Sequence, residues 1–300
     1  MVYFLSSNLL FIIGIDIFKK FTKQLDKLGI LHKTYITNKP GKREALYDGI
    51  KLSIGNILAL CDSDSMWKKD TLQQALIPFL NKKVGGVMTR QNVYKPKTFA
   101  EKLFDMHLDT RNYDELPFLS KWGQALSCLS GRTSFYRAKA IVDDIDLLIN
   151  DTFLGQKQIS GDDKRLTTMV HANGYKTVFQ STCQIYTDGM KTMKSYIKQR
   201  VRWARNSWRY DFKTLATKWI WVRPFLMFNI IDRFFQPFTL LLGGFLIIRL
   251  LFFGNVNFIK HILIWLIISR IIKNFQHLAY NFKNLLIIPQ YIFYSYYLAY

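Results

Sequence analysis

The sequence predicts an α/β domain that runs into amphipathic helices and then into helices able to cross a membrane. Three observations carry this reading. Short apolar runs alternate with helical patterns from Val2 to about Val178, tryptophans mix with cations from Lys191 to Arg223, and long apolar runs follow Pro224. The expected regions are therefore 1–190, 191–224 and 225–300.

In the first region Val2 to Leu5, Thr34 to Thr37 and Ile57 to Cys61 read as strands, with helices around Ile17 to Leu28 and Arg43 to Ser53. Such alternation implies a largely parallel sheet with helices on both faces and ligands at the carboxyl ends of the strands. In the second region ten Lys or Arg accompany one acid, Asp211, with Tyr196, Trp203, Trp208, Trp219 and Trp221 interleaved. Cations and indoles at helical spacing suit helices lying at a membrane interface. Taken alone, this stretch also suits nucleic acid.

In the third region Phe234 to Phe253, Phe258 to Ile272 and Leu285 to Tyr300 read as membrane spans. A span takes about 20 residues, so the first is comfortable, the second is short and the third stops at the end of the chain. Arg249 and Arg270 lie near helix ends or face a polar interior. The loop Lys273 to Asn284 carries Lys273 and Lys283, while Gly254 to Asn257 is uncharged. Positive residues stay inside, which predicts an integral protein of a plasma or inner membrane, with membrane lipid as a partner and the first region in the cytoplasm.

Lys and Arg number 42 against 21 acids, and this net charge of +21 sits on a chain that is 49% hydrophobic. A disordered polycation is excluded. The charge suits nucleic acid, an anionic leaflet or a phosphorylated substrate; the apolar runs favour the last two, and no nucleic-acid partner is expected. Cys61, Cys128 and Cys183 are isolated, with no CxxC pair, and read as free thiols. The apolar start, Met1 to Ile15, lacks a basic leader and a small-residue cleavage site, so no cleavable signal is expected.

Four patterns carry chemistry. Asp62-Ser63-Asp64 follows the run Ile57 to Cys61, so a buried strand ends in carboxylates at i and i+2. Hard paired oxygens there suit Mg²⁺ or Mn²⁺, although turns rich in Asp are common. Gly41-Lys42-Arg43 opens a helix, and amides plus cations at a helix start bind phosphate; the bland reading is an exposed basic turn. Gly161-Asp162-Asp163 precedes the amphipathic stretch Lys164 to Ala172, where an Asp either caps the helix or acts as a general base. Gln199, Arg202 and Trp203 share a helix face at i, i+3 and i+4, offering an Arg fork and an indole; the competing reading is the interface helix itself.

In this order the four patterns resemble the processive family 2 glycosyltransferases, the group containing hyaluronan, chitin, cellulose and alginate synthases. The stretches that carry the likeness are PGKREALYDGI, ALCDSDS, SCLSGRTSFYRAKAI, SGDDKRLTTMVHANGYKTVFQSTCQIYTD and KQRVRWARNSWR. The GDD stretch is most similar to hyaluronan synthases, while Gly131-Arg132-Thr133-Ser134 departs from their Ser-Gly-Pro and looks more like the alginate-polymerase branch.

The resemblance implies a GT-A type domain with interface helices and a membrane channel, a nucleotide-sugar donor, a polysaccharide acceptor and a divalent metal. By the same likeness Asp64 and Asp62 hold the metal. Lys42, Arg43, Asp62, Gln199 and Arg202 serve the donor diphosphate. Asp163 is the base, and Cys128, Ser130, Gly131 and Trp203 line the acceptor site. Family members carry an acid after an early strand, whereas Val2 to Leu5 leads here into Ser6-Ser7-Asn8. That departure predicts a chain that starts inside the domain, or a degenerate uridine pocket. Two rivals stay open: transfer to a lipid or short acceptor, and a catalytically impaired membrane-anchored binding module.

Overall fold

The computed structural model describes residues 2–4, 9–12, 23–29, 32–35, 37, 40–253 and 256–297. Ser6, Ser7 and Asn8 lie outside these residues, as do Gly254, Asn255, Leu298 to Tyr300 and the first part of the helix expected around Ile17 to Leu28; residues 23–27 are helical.

The main sheet is built from β1 (Val2–Phe4), β2 (Leu9–Ile12), β3 (His32–Tyr35), β4 (Ile57–Cys61), β5 (Ser65–Trp67), β6 (Val84–Val93), β7 (Thr133–Arg137) and β10 (Lys176–Thr187), and a small hairpin pairs β8 (Thr152–Phe153) with β9 (Gln156–Lys157). The order in the sheet is β3-β2-β1-β4-β7-β6-β10-β5. Among these strands only β2–β3 and β6–β10 pair in parallel, and the remaining neighbours are antiparallel. The sheet is thus mixed, which corrects the largely parallel expectation. β7 is the reason: it slots between β4 and β6 antiparallel to both, with Phe135 opposite Ala59 on one side and Val87 on the other.

Helices cover both faces as expected. Period-two alternation sends Leu58 and Leu60 of β4, Met88 of β6 and Tyr136 of β7 to one face. There they pack with Leu46 and Ile50 of α1 (Lys42–Lys51). Ala59, Val87 and Phe135 take the opposite face, against Ala75 of α2 (Thr71–Leu76) and Phe79. Each fully buried large apolar side chain contributes roughly 1.5–3 kcal/mol, so β4 is fixed from both sides up to the residue that precedes Asp62. The three cysteines are free thiols.

Between β6 and β7 the chain makes a helical excursion. It starts with α3 (Phe99–Thr110), opened by a capping box in which Thr98 Oγ1 accepts from Glu101 N and Glu101 Oε2 accepts from Thr98 N at 2.8 Å. Two π-helical turns follow, Arg111–Glu115 and Leu119–Gly123. The excursion then meets the C-terminal helices at Gly123, where a Cβ would come within 2.0 Å of Phe225 Cδ1.

After α4 (Asp162–Ala172) and β10 comes one long helix, α5 (Met193–Leu215), which buries Tyr196, Arg200, Asn206, Tyr210, Asp211 and Thr214. The next helix, α6 (Pro224–Phe253), contains the stretch Pro224–Leu250, whose 27 residues are long and apolar enough to cross a membrane. Among the described residues it alone has that length and composition. It is followed by α7 (Val256–Lys273) and α8 (Phe275–Tyr280). The third apolar run differs from expectation, since it divides into a 3₁₀ segment, Phe282–Ile287, and a ten-residue helix, α9 (Ile288–Tyr297). Its Ile288 and Tyr291 pack in one cluster with Leu103 and Phe104 of α3, and Asn284 is turned inward to donate to His277 Nε2 at 2.9 Å.

Asp211 joins three of these elements. Its carboxylate, 1% exposed, lies 2.7 Å from Lys164 Nζ of α4 and 2.9 Å from Arg233 Nη1 of α6. The Lys164 approach is ionic and off the hydrogen-bonding direction. Removing a buried partner strands the opposite charges at a cost of about 3–5 kcal/mol. Asp211→Ala is therefore expected to lower stability by roughly that amount, read as a lower melting temperature of the purified protein; an unchanged melting curve would show that the tie is dispensable.

Candidate active site

β4 ends at Cys61 and the chain turns at once, with Ser65 N donating to Asp62 O at 3.1 Å. Asp62-Ser63-Asp64 is therefore a tight turn between β4 and β5, so the placing of its two carboxylates is set by the turn and not by strand alternation. The turn is stitched to the segment before β7: Asp62 N and Ser65 Oγ both donate to Arg132 O at 2.8 Å. This places Gly131 beside the carboxylates. A Cβ on Gly131 would lie 3.2 Å from Lys42 Nζ, 3.7 Å from Asp163 Cβ and 3.7 Å from Asp62 Oδ2, so any larger residue would intrude on the cleft.

Lys42, at the start of α1, bridges two acids. Its Nζ lies 2.9 Å from Asp62 Oδ1 and 3.1 Å from Asp162 Oδ2. Burial alone would lower the ammonium pKa, but Asp162 and Asp62 outweigh it and hold the group protonated above its ordinary range. Burial raises the Asp62 carboxyl, with Lys42 opposing. Burial and the neighbouring Asp162 likewise raise Asp163, again opposed by Lys42.

The helix carrying the GDD stretch is capped by Gly161 in a left-handed conformation, φ 83°, with no side-chain cap. Asp163 sits inside the first turn. Its Oδ1 accepts from Lys164 N at 2.8 Å, while Oδ2 receives no hydrogen bond from the described residues. One oxygen is thus anchored and the other is left for chemistry.

Of the residues singled out from the sequence, Lys42, Asp62, Ser130, Gly131 and Asp163 line one cleft, together with Asp162 and Tyr136. Asp64 is exposed at the turn. Cys128 is half-buried and outside the cleft lining; burial, and then Asp163, push its thiol above the ordinary range. Gln199, Arg202 and Trp203 lie on α5. The Gln199 Oε1 is buried without a partner among the described residues, Arg202 is exposed, and the Trp203 ring packs 6.0 Å from that of Phe104.

Arg43 requires a correction. It is 2% exposed and turns away from its neighbour Lys42: Nη1 donates to Leu148 O at 2.9 Å and to Asp151 Oδ2 at 3.0 Å, and Nη2 donates to Ser160 O at 2.8 Å and to the Tyr210 hydroxyl. A guanidinium so occupied is structural. Successive helical residues lie about 100° apart, which is why two adjacent cations serve different partners.

Sequence reasoning missed Arg132. Its guanidinium lies 5.0 Å from the Phe104 ring centre and 5.1 Å from that of Trp203. Only the departure at Gly131-Arg132 pointed there. A separate set of ligand-type side chains, Asp105, Asp109 and His277, joins α3 to α8. His277 Nδ1 bonds Asp109 Oδ2 at 2.8 Å and its Nε2 accepts from Asn284, while Asp105 accepts from Val93 N at 2.8 Å. With both ring nitrogens engaged, this group reads as a buried latch.

Comparison with known proteins agrees with this geometry. The family described as Glycosyltransferase like family 2 matches residues 14–206. An N-acetylglucosaminyltransferase of Rhizobium meliloti is 29% identical over 194 residues, 64% of this chain and 45% of that protein. A hyaluronan synthase of Streptococcus pyogenes is 31% identical over 181 residues, 60% of this chain and 42% of that protein. The chain thus spans less than half the length of these curated relatives. Among solved structures, a mannosyltransferase from Pyrobaculum calidifontis in complex with GDP-Man and Mn²⁺ superposes with a TM-score of 0.54 at 16% identity, over 83% of this chain and 67% of the other, a likeness of GT-A-like fold. Since the family match takes in more than half of the residues, from before α1 to beyond Trp203, this chain belongs to the family 2 glycosyltransferases.

Proposed function

We propose that the chain transfers a sugar from a nucleotide sugar, of the UDP class, to a growing saccharide with inversion at the anomeric carbon, at the cytoplasmic face of a bilayer. The observation that carries this is the cleft in which Lys42 bridges Asp62 and Asp162 at 2.9 and 3.1 Å beside Asp163. A protonated ammonium at a helix start suits a diphosphate. The names of the curated relatives, an N-acetylglucosaminyltransferase and a hyaluronan synthase, support a saccharide product.

Asp62 and Asp64 fit a divalent cation such as Mg²⁺ or Mn²⁺, because they are hard oxygen donors and Asp62 already holds a cation, the Lys42 ammonium, at 2.9 Å. Such an ion supplies charge neutralisation on the diphosphate. The chain's own residues supply the rest. The acceptor hydroxyl oxygen attacks the anomeric carbon while the bond from that carbon to the diphosphate oxygen breaks, and Asp163 takes the hydroxyl proton. Lys42 and Arg202 meet the charge that builds on the departing diphosphate. The unpartnered Gln199 Oε1 accepts a donor hydroxyl, and Cys128, Ser130, Gly131 and Trp203 border the acceptor.

A second cavity, of about 530 Å³, lies among α3, α5, α6, α7 and α9 and is lined by Tyr196 and Arg200 of the helix that carries Gln199 and Trp203. It gives a growing chain a place to go, and α6, with the exposed Trp221 of the preceding segment Lys218–Val222, anchors the domain in lipid.

Asp163→Asn keeps the shape of the side chain but cannot take a proton. Transfer, read as nucleoside diphosphate release with Mn²⁺ present, is expected to fall by roughly 10²-fold or more, with nucleoside diphosphate binding retained; near-normal turnover would remove Asp163 from the mechanism. The pH profile is a further check. A base works ionised, and burial raises the Asp163 pKa, so kcat/KM is expected to decline on acidification above the ordinary carboxylate range, and a profile flat down to that range would contradict the assignment. Arg202→Lys is expected to lose most activity, because an ammonium cannot form the paired bonds of a guanidinium fork; wild-type turnover would return this helix to a purely interfacial role.

A further inference from the structure

We propose that Asp162 is a positioning residue of the donor site: it holds the Lys42 ammonium toward the diphosphate by means of a carboxylate that the divalent ion does not need. This rests on the transfer reading above and adds a residue to the same site.

An acid at the start of a helix ordinarily caps it. Asp162 does not, because α4 opens on Gly161 with no side-chain cap, and the nearby amide of Lys164 donates instead to Asp163 Oδ1 at 2.8 Å. The positive end of the helix still favours a negative charge at this place. The Asp162 side chain, 12% exposed, reaches Lys42 of α1, with Oδ2 3.1 Å from Nζ. Among the described residues Lys42 is its one ion-pair partner.

By charge alone Asp162 works against the donor. It lines the same cleft as Lys42, Asp62 and Asp163, and a carboxylate there repels an anionic diphosphate. What it does to the cation accounts for its presence. The other anchor of Lys42 is Asp62 Oδ1, at 2.9 Å, and Asp62 is also the carboxylate that fits a divalent ion. Two positive charges compete for it. An ammonium on a flexible four-carbon stem, held by Asp62 alone, would be released as a doubly charged ion arrives. Asp162 stands outside the β4–β5 turn, on α4, and keeps its hold.

Geometry limits where the ammonium can turn. A Cβ on Gly131 would lie 3.2 Å from Nζ, so the Gly131 backbone closes one side of the group. An ammonium carries three N–H donors, and an ion pair with Asp162 leaves donors for phosphate oxygens. Asp162 and Asp163 are consecutive. The cation that meets the leaving group and the base that takes the acceptor proton are thereby fixed to one turn of α4, and the next residue, Lys164, ties that turn to Asp211 of α5 at 2.7 Å. One anchored turn so sets both ends of the transfer.

The test measures UDP affinity by calorimetry, together with donor kcat and KM, on purified protein with saturating Mn²⁺. Asp162→Asn is expected to weaken UDP binding by roughly tenfold, the scale of one charge-assisted hydrogen bond, and to raise the donor KM more than it lowers kcat, with the melting curve retained. Asp162→Glu is expected to recover part of the affinity. In a Lys42→Met background, Asp162→Asn is expected to cause no further loss, because the cation it served is gone. The sign of the effect discriminates. Charge alone predicts tighter UDP binding when a nearby carboxylate is removed, so unchanged or tighter binding in Asp162→Asn would overturn the proposal and leave the transfer reading intact. An equal loss in the Lys42→Met background, or a collapsed melting curve, would overturn it by making Asp162 a structural residue of α4. A fall in kcat of roughly 10²-fold with donor KM unchanged would overturn it by moving Asp162 to the proton transfer. Failure of wild type to bind UDP would bring down the transfer reading itself, and this proposal with it.

Discussion

The Asp211 carboxylate is the contact on which the geometry of the site depends. It is buried on α5, and the two cations it holds come from different parts of the chain, Lys164 from the helix that begins with the GDD stretch and Arg233 from the apolar helix α6. Lys164 directly follows Asp163. Any movement of α5, which also carries Gln199, Arg202 and Trp203, is thereby transmitted to the residue proposed as the base. A buried ion pair of this kind adds little to stability compared with an apolar contact of equal volume. Its value here is positional, because charges in a low-dielectric interior tolerate few alternative arrangements.

A second tie repeats the arrangement one residue away. Asp151 holds Arg43, Lys213 and the Tyr210 hydroxyl, and so fastens α1 to α5 beneath Lys42. Lys42 and Arg43, Asp163 and Lys164, Tyr210 and Asp211 are adjacent pairs. In the first two, one member faces the cleft and the other faces the interior; in the third, both members are buried ties. A linear motif records that two charged residues stand together but not which of them is turned inward, since that depends on packing partners far along the chain, more than a hundred positions away for Arg43. This explains why Lys42 could be read from the sequence as a cleft cation while Arg43 could not be separated from it.

Other features were legible in proportion to how local their causes are. The run Ile57 to Cys61 is a strand with the bounds its composition implies, and helices on both faces follow from the alternation of apolar runs. The place of β7 does not, because an antiparallel strand inserted between β4 and β6 is a matter of register set by distant partners. The run after Leu285 was likewise read by composition as a single apolar segment. It is divided at Ile287–Ile288, where a 3₁₀ segment gives way to α9 with Pro289 in its first turn, and its apolar residues are spent on α3 instead. Arg132 escaped notice for a related reason: its meaning lies in Phe104 and Trp203, which sit 28 residues before it and 71 after it in the chain.

The junction at Gly123 bears on how such a chain can vary. Phe225 of α6 lies against Gly123 so closely that a methyl group there would approach it to 2.0 Å, and the Phe118 ring lies 6.0 Å from the same side chain. An exposed side chain on α6, such as Phe238, Leu241 or Phe245, can be exchanged for another apolar one with little effect on packing inside the protein. Position 123 has no such freedom. Even alanine would force α6 away from the segment that leads to Ser130 and Gly131. The joint between the long apolar helix and the candidate cleft is thus guarded by the smallest residue in the sequence, and a change of one carbon there would reach farther than the replacement of a whole aromatic ring a few turns along the helix.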